Sequence, residues 1–237
     1  MKDIKVLFIG NSHTYMHDMP HLFSHIYEKT TGCRAEVTML AFSGRKLSWH
    51  LEEFLPLRFA LMYGGFDYCV IQQGAHPFPP VEDTLRDGAR MAALCSSQGV
   101  MPVFYMTWAE KRMPENQQKA IDTYKKLHAD SPSLLAPVGV VWRTVREKHP
   151  EIELYSTDGE HASPQGDLLV ASVLTATLTG SPEVAAPDYM QDFKTKERNE
   201  YGFDQVMNRE DVKIPLDGEA LRAIHEAIRE NWAEFAQ

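Results

Sequence analysis

Ser12, Asp158 and His161 are the residues of this chain whose types and spacing could do chemistry together. Ser12 lies in Val6-Leu-Phe-Ile-Gly-Asn-Ser-His-Thr14, where an apolar run passes through a glycine into a short polar stretch. A serine hydroxyl in such a place becomes a nucleophile when a histidine can take its proton and a carboxylate can orient that histidine. Thr157-Asp-Gly-Glu-His-Ala-Ser-Pro-Gln-Gly166 offers both. Asp158 and His161 stand three apart across a glycine-containing turn, a spacing that can fold the carboxylate back onto the imidazole and fix its tautomer. Alone, Asp158 reads equally as a turn residue and His161 as a residue near a helix start. With Ser12 beside them the chemistry is acyl transfer.

Residues so far apart in the chain meet only if the fold brings them to one edge. Strand-like runs fall at Lys5–Ile9, Ala35–Leu40, Tyr68–Gln72, Val100–Met106 and the short Glu153–Tyr155, with helical patterns at about 20–31, 46–63, 80–98, 115–130 and 138–148. That alternation predicts βαβ units and a parallel sheet with helices on both faces. The unbroken apolar run Val6–Ile9 is that of a strand buried on both faces. Sheets of this kind bind ligands at the carboxyl ends of their strands, and Gly10 is expected to let the chain turn sharply there. Ser163-Pro164 opens a further helix, with a serine cap and a proline in the first turn, which Gly180-Ser-Pro182 ends near Thr179. Residues 181–215 are polar and weakly periodic, leaving a surface excursion, a lid and a subunit contact all open. A final helix, about Gly218–Phe235, carries the stripe Leu221, Ile224, Ile228, Trp232 and Phe235, which is most simply core packing.

Together the two segments resemble the SGNH hydrolases, the GDSL-like esterase and lipase superfamily, in the form of one of its bacterial branches. The resemblance spans about residues 4–180 and implies a three-layer α/β/α, flavodoxin-like fold around a central five-stranded parallel sheet. It makes 1–180 the hydrolase-like α/β domain and 181–237 a C-terminal excursion and helix packed on the same domain. Gly10, Asn11 and Ser12 match the family's first block, and Asp158 and His161 match its last. The resemblance implies that Ser12 is the nucleophile, His161 the base and Asp158 its orienting carboxylate. Gly44, in Ser43-Gly44-Arg-Lys past the second strand, then supplies an oxyanion N–H beside that of Ser12. The third block departs from the pattern. In Tyr68-Cys-Val-Ile-Gln-Gln-Gly-Ala-His76, a histidine stands where the family has an asparagine amide. His76 and Gln73 are alternative third donors, and His76 reads equally as a substrate contact or a structural residue. Losing one such donor costs on the order of 10²–10³ in rate.

Trp108 directly follows the fourth strand and is expected to stack on a sugar ring or wall the pocket, and Phe78 to border the acyl site. Trp49, Trp142 and Trp232 sit in helical patterns and read as core. His13, His17, His21 and His25 recur every four residues, metal-ligand spacing on a single helix, but Pro20 would start a helix rather than continue one. No metal site and no cofactor are expected.

Composition narrows the partners. The 237 residues suit one large domain, the formal net charge is −9, and no cluster of five basic residues occurs. Nucleic acid and anionic membrane are therefore poor partners, and no apolar run has the length of a membrane span. Three scattered cysteines and the lack of a leader-like segment read as a reduced, cytoplasmic protein. The expected function is hydrolysis of a small ester, plausibly an O-acetylated carbohydrate, with a homo-oligomer left open. Two other classes compete. A flavodoxin-like phosphate-binding module would leave Asp158 and His161 unexplained and lacks a glycine-rich phosphate loop. A family member without turnover, serving in binding or regulation, is favoured only by His76.

Overall fold

The computed structural model describes residues 1–192 and 213–235. Its centre is a sheet of β1 (Ile4–Gly10), β2 (Ala35–Ala41), β3 (Tyr68–Ile71), β4 (Met101–Tyr105) and β5 (Leu134–Ala136), in the order β2-β1-β3-β4-β5. Every pairing is parallel. Strand order reverses at β1, and the crevice outside the carboxyl ends of β1 and β3 is where such a sheet takes its ligand.

The helices are α1 (Ser12–Tyr15), α2 (Met19–Thr31), α3 (Leu47–Glu52), α4 (Leu55–Tyr63), α5 (Val81–Ser97), α6 (Asn116–Asp130), α7 (Val138–Lys148), α8 (Pro164–Thr179) and α9 (Gly218–Glu230). Two apolar cores follow from the alternation of side chains along β1. Val6 and Phe8 join a core with residues of α2, α7, α8 and α9. Leu7 and Ile9 point the other way, into a core with residues of α3, α4, α5 and α6. All four side chains are fully buried, so the expected three layers form around a strand with no polar face. Helix α8 is buried from Gly166 to Leu178 and packs against α2, α7 and α9. The stripe on α9 puts Ile224 and Ile228 into the same core. Among the described residues no helix is long and apolar enough to cross a membrane.

Three expectations change. The fifth strand is Leu134–Ala136 rather than Glu153–Tyr155. Between prolines, three apolar residues are too few to show a strand pattern, whereas Tyr155 makes only an isolated antiparallel bridge to Ala162. The helical pattern at 46–63 is two helices, because Pro56 has no N–H to give and its ring would strike the carbonyl of residue 52. Gly10 does not turn the chain: it is the last residue of β1 and has no positive φ. It is needed for close approach, since a Cβ there would lie 2.3 Å from Thr14 Oγ1 and 2.4 Å from Gln72 Oε1. Residues 181–192 run past α2, and β6 (Met190–Gln191) pairs antiparallel with β7 (Lys213–Ile214). The part of the open 181–215 segment between those strands lies outside the described residues.

Gly10→Ala is therefore expected to lose roughly 1–3 kcal/mol through overpacking. At about 2–4 °C per kcal/mol for a chain of this size, calorimetry should record a melting point several degrees lower. An unchanged melting point would mean that the Thr14–Gln72 corner yields freely.

Candidate active site

The site begins where β1 ends. Asn11 is extended and caps α1, its Oδ1 accepting from the backbone N–H of His13 at 3.0 Å. Its Nδ2 donates to Arg45 O at 3.0 Å, and its own N–H donates to Gln72 Oε1 at 2.9 Å. One side chain thus ties the loops after β1 and β2 together while the backbone holds the loop after β3. The loop after β2 is a tight turn in which Arg45 N–H donates to Phe42 O at 3.0 Å with Gly44 at φ +68°. That conformation favours glycine. Gln73 closes the corner, its Oε1 accepting from the N–H groups of Leu47 at 3.0 Å and Gly74 at 2.9 Å.

On the other side, residues 156–163 wrap around the Asp158 carboxylate. Oδ1 accepts from the N–H groups of Glu160 at 2.9 Å and His161 at 3.0 Å, while Oδ2 lies 2.6 Å from His161 Nδ1. A carboxylate accepts only, so Nδ1 carries the proton and Nε2 is left to accept. Ser12 Oγ lies 2.7 Å from that Nε2. Burial pushes the Asp158 carboxyl up, but the hydrogen bonds from Glu160 and His161 hold it below the ordinary carboxylate range. The Asp158 side chain is 47% and that of His161 24% exposed, so the arrangement faces solvent.

Behind this surface is a buried aromatic wall. His13 stacks on His161 with ring centroids 4.5 Å apart and planes 24° apart, and it also packs against His76 at 4.8 Å and Trp108 at 5.5 Å. Trp108 lies flat on Trp142 at 4.0 Å, and its Nε1 donates to Glu160 O at 2.9 Å. His76 Nδ1 is 3.4 Å from Glu110 Oε2, and both side chains are buried. Burial pushes the imidazoles of His13 and His76 below the ordinary histidine range, so both rings are neutral at neutral pH.

No protein-family model and no curated protein matches the sequence, but solved structures do. A candidate SGNH hydrolase from Slackia heliotrinireducens is 27% identical, with a TM-score of 0.65 over 74% of this chain and 99% of that one. The fold is that of the SGNH hydrolases, the superfamily that the two sequence blocks resemble. A DUF4886 family protein from Bacteroides uniformis shares the fold over 98% of this chain and 95% of its own, at 15% identity and TM-score 0.69. An acetyl-xylooligosaccharide esterase from Geobacillus shares it over 72% and 92%, at 12% identity and TM-score 0.59.

Set on the SGNH fold, Ser12, Asp158 and His161 come together, with Gly44 in the neighbouring loop. Other expected residues stand behind or beside these three. Trp108 is 2% exposed, so its face is not offered to a sugar; it is sandwiched in the core and braces the Asp158–His161 turn instead. Phe78 is partly buried, 6.4 Å from the Tyr124 ring. Gln73 spends its side-chain carbonyl on the loop corner. The histidine row divides as Pro20 implied: His13 lies in the site, and the His17 ring lies between Ala162 O and the Asp192 carboxylate. His21 and His25 meet Gln191 and Asp188. Sequence reasoning placed Glu110 at this edge as a polar neighbour of Trp108 but did not foresee its pairing with His76 or the stacking role of His13. The available signal was topological, since Glu110 and His76 follow adjacent strands and His13 follows the serine.

Neutral buried histidines give a stability signature. The histidine pKa in the unfolded chain is near 6.5, and burial depresses it in the fold at His13, His50, His76 and His225. Below that value the unfolded chain binds more protons, so stability is fully present above about pH 6.5 and falls as pH drops toward the folded values. Urea midpoints at pH 7.5, 6.5 and 5.5 should decline in that order, with a shallower decline in His13→Phe. A midpoint rising toward pH 5.5 would contradict neutral burial.

Proposed function

We propose that the protein is a serine hydrolase that cleaves a small acyl ester through Ser12, His161 and Asp158. The observation that carries the reading is His161, within hydrogen-bond distance of the hydroxyl on one side and the carboxylate on the other. In this reading His161 Nε2 takes the Ser12 proton as Oγ attacks the ester carbonyl, and Asp158 stabilises the imidazolium that forms. The imidazolium then gives its proton to the leaving alcohol, and a water repeats the sequence on the acyl-enzyme, releasing the acid and restoring Ser12. The oxyanion is assigned to the backbone N–H groups of Ser12, at the start of α1 where the fold supplies no intrahelical acceptor, and of Gly44. A third donor from His76 is disfavoured by tautomer: a carboxylate beside Nδ1 draws the ring proton there and leaves Nε2 a lone pair. An O-acetylated carbohydrate is the substrate class to test first, because one structural neighbour acts on acetylated xylo-oligosaccharides. A second reading, an SGNH-fold binding protein with little turnover, draws on that weakness of His76 as a third donor.

A fluorophosphonate probe is expected to label wild type on Ser12, with no labelling in Ser12→Ala. Asp158→Asn presents an amide N–H to Nδ1 and reverses the tautomer, so kcat on p-nitrophenyl acetate should fall about 10³–10⁴-fold with the melting point near wild type. Neither labelling nor turnover in the unmodified protein would end the esterase reading and leave the binding protein standing.

A further inference from the structure

His13 follows the candidate nucleophile directly, yet its ring is turned away from solvent and 7% of the residue is exposed. It is held from several sides. Nδ1 lies 3.3 Å from Asn11 Oδ1, an oxygen whose identity is fixed because the same amide gives its N–H to Arg45 O. The His13 carbonyl accepts from Tyr105 Oη at 3.2 Å. Trp108 and His76 pack against the ring, and the Glu110 carboxylate stands beyond His76. The remaining side faces His161 in the flattest of these contacts, 24° between planes. His161, by contrast, is bound at its two ring nitrogens and tethered through Cβ, which leaves the tilt of its ring plane to small changes in its side-chain torsions. A flat, immobile neighbour restricts that tilt.

We infer that His13 is a positioning residue: a rigid platform, backed by His76 and Trp108, that fixes the ring plane of His161 between Ser12 and Asp158. The inference rests on the serine-hydrolase reading. It also accounts for His76 where the family carries an asparagine, since a ring there backs the platform as a short amide could not. Neutrality suits the platform. When His161 takes up the serine proton, the charge lies over the π-face of an uncharged ring, an attractive arrangement, whereas a second cation would repel it.

The test is a set of substitutions read by kcat, KM and the rate of fluorophosphonate labelling. His13→Ala removes the platform and should lower kcat and labelling by about 10²-fold with KM little changed, the cost of misplacing a reacting group by about an ångström. His13→Phe keeps a flat uncharged face and should stay within several-fold of wild type. His76→Phe should do likewise, whereas a direct oxyanion donor at that position would cost 10²–10³. Nuclear Overhauser contacts between the ring protons of His13 and His161 in the unmodified protein read the stack without any variant. Equal losses in His13→Phe and His13→Ala, an unaffected His13→Ala, or no ring contact would overturn the platform. A 10²-fold loss in His76→Phe at unchanged melting point would overturn its backing. Absence of labelling in wild type would bring down the hydrolase reading itself, while equal labelling of wild type and His13→Ala brings down only the positioning role.

Discussion

The amide of Asn11 is the interaction on which the rest of the candidate site depends. Its carbonyl caps α1 and so orients Ser12, and its N–H group holds the carbonyl of Arg45 beside Gly44. Were the amide turned over, both contacts would become repulsions. The backbone beneath is equally constrained. Gln72 Oε1 accepts from both the Asn11 N–H and the Thr14 hydroxyl, in a space that exists only because residue 10 lacks a Cβ. Serine, glycine loop and third loop are therefore registered by one short polar network, nearly all of it buried, where an unpaired group costs most.

The histidine half of the site is held by a different kind of force. Residues 156–163 expose much of their polar surface, and the carboxylate at their centre is half open to water, so its ion pair contributes little to stability. What fixes the turn is its anchoring to the core. Trp108 is stacked on Trp142 and donates to Glu160 O, Ser163 caps α8, and Tyr155 bridges to Ala162. Apolar packing thus sets the position, and hydrogen bonding sets the angle. The two halves meet through the stacked rings of His13 and His161, where neither side has slack.

The legible part of this fold was the part written in local pattern. The alternation of apolar runs and helical stretches conveys the parallel sheet, and two short blocks at its edge convey the serine, aspartate and histidine. The fifth strand is hard to read because Leu134–Ala136 is three residues long with prolines at 132 and 137, while the equally short Glu153–Tyr155 carries Leu154 and Tyr155 and mimics it. Trp108 was legible as lying at the edge but not as facing inward, since direction depends on Trp142, a residue on another element. Glu110 and His76 are separated by a helix and paired only by the adjacency of β3 and β4. Gly10 was recognised as necessary for the wrong reason: a required glycine can mean a turn or a crowded neighbour, and sequence alone does not distinguish them.

The entry to α2 shows how far the fold goes to serve this edge. His17 and Asp18 both adopt positive φ, at 48° and 53°, without being glycine. Such backbone costs of order 1–3 kcal/mol per residue and persists only where surroundings over-determine it. Here they do. The His17 ring is fitted between the carbonyl of Ala162, next to His161, and the carboxylate of Asp192, while Asp18 and Gln191 meet at His21. The strain is offset by a junction at which the serine helix, the histidine turn and the segment after α8 are locked together. A chain that needed only to enclose its core could start α2 without it. On the proposed reading, the junction keeps His161 within hydrogen-bond reach of Ser12, which proton transfer requires.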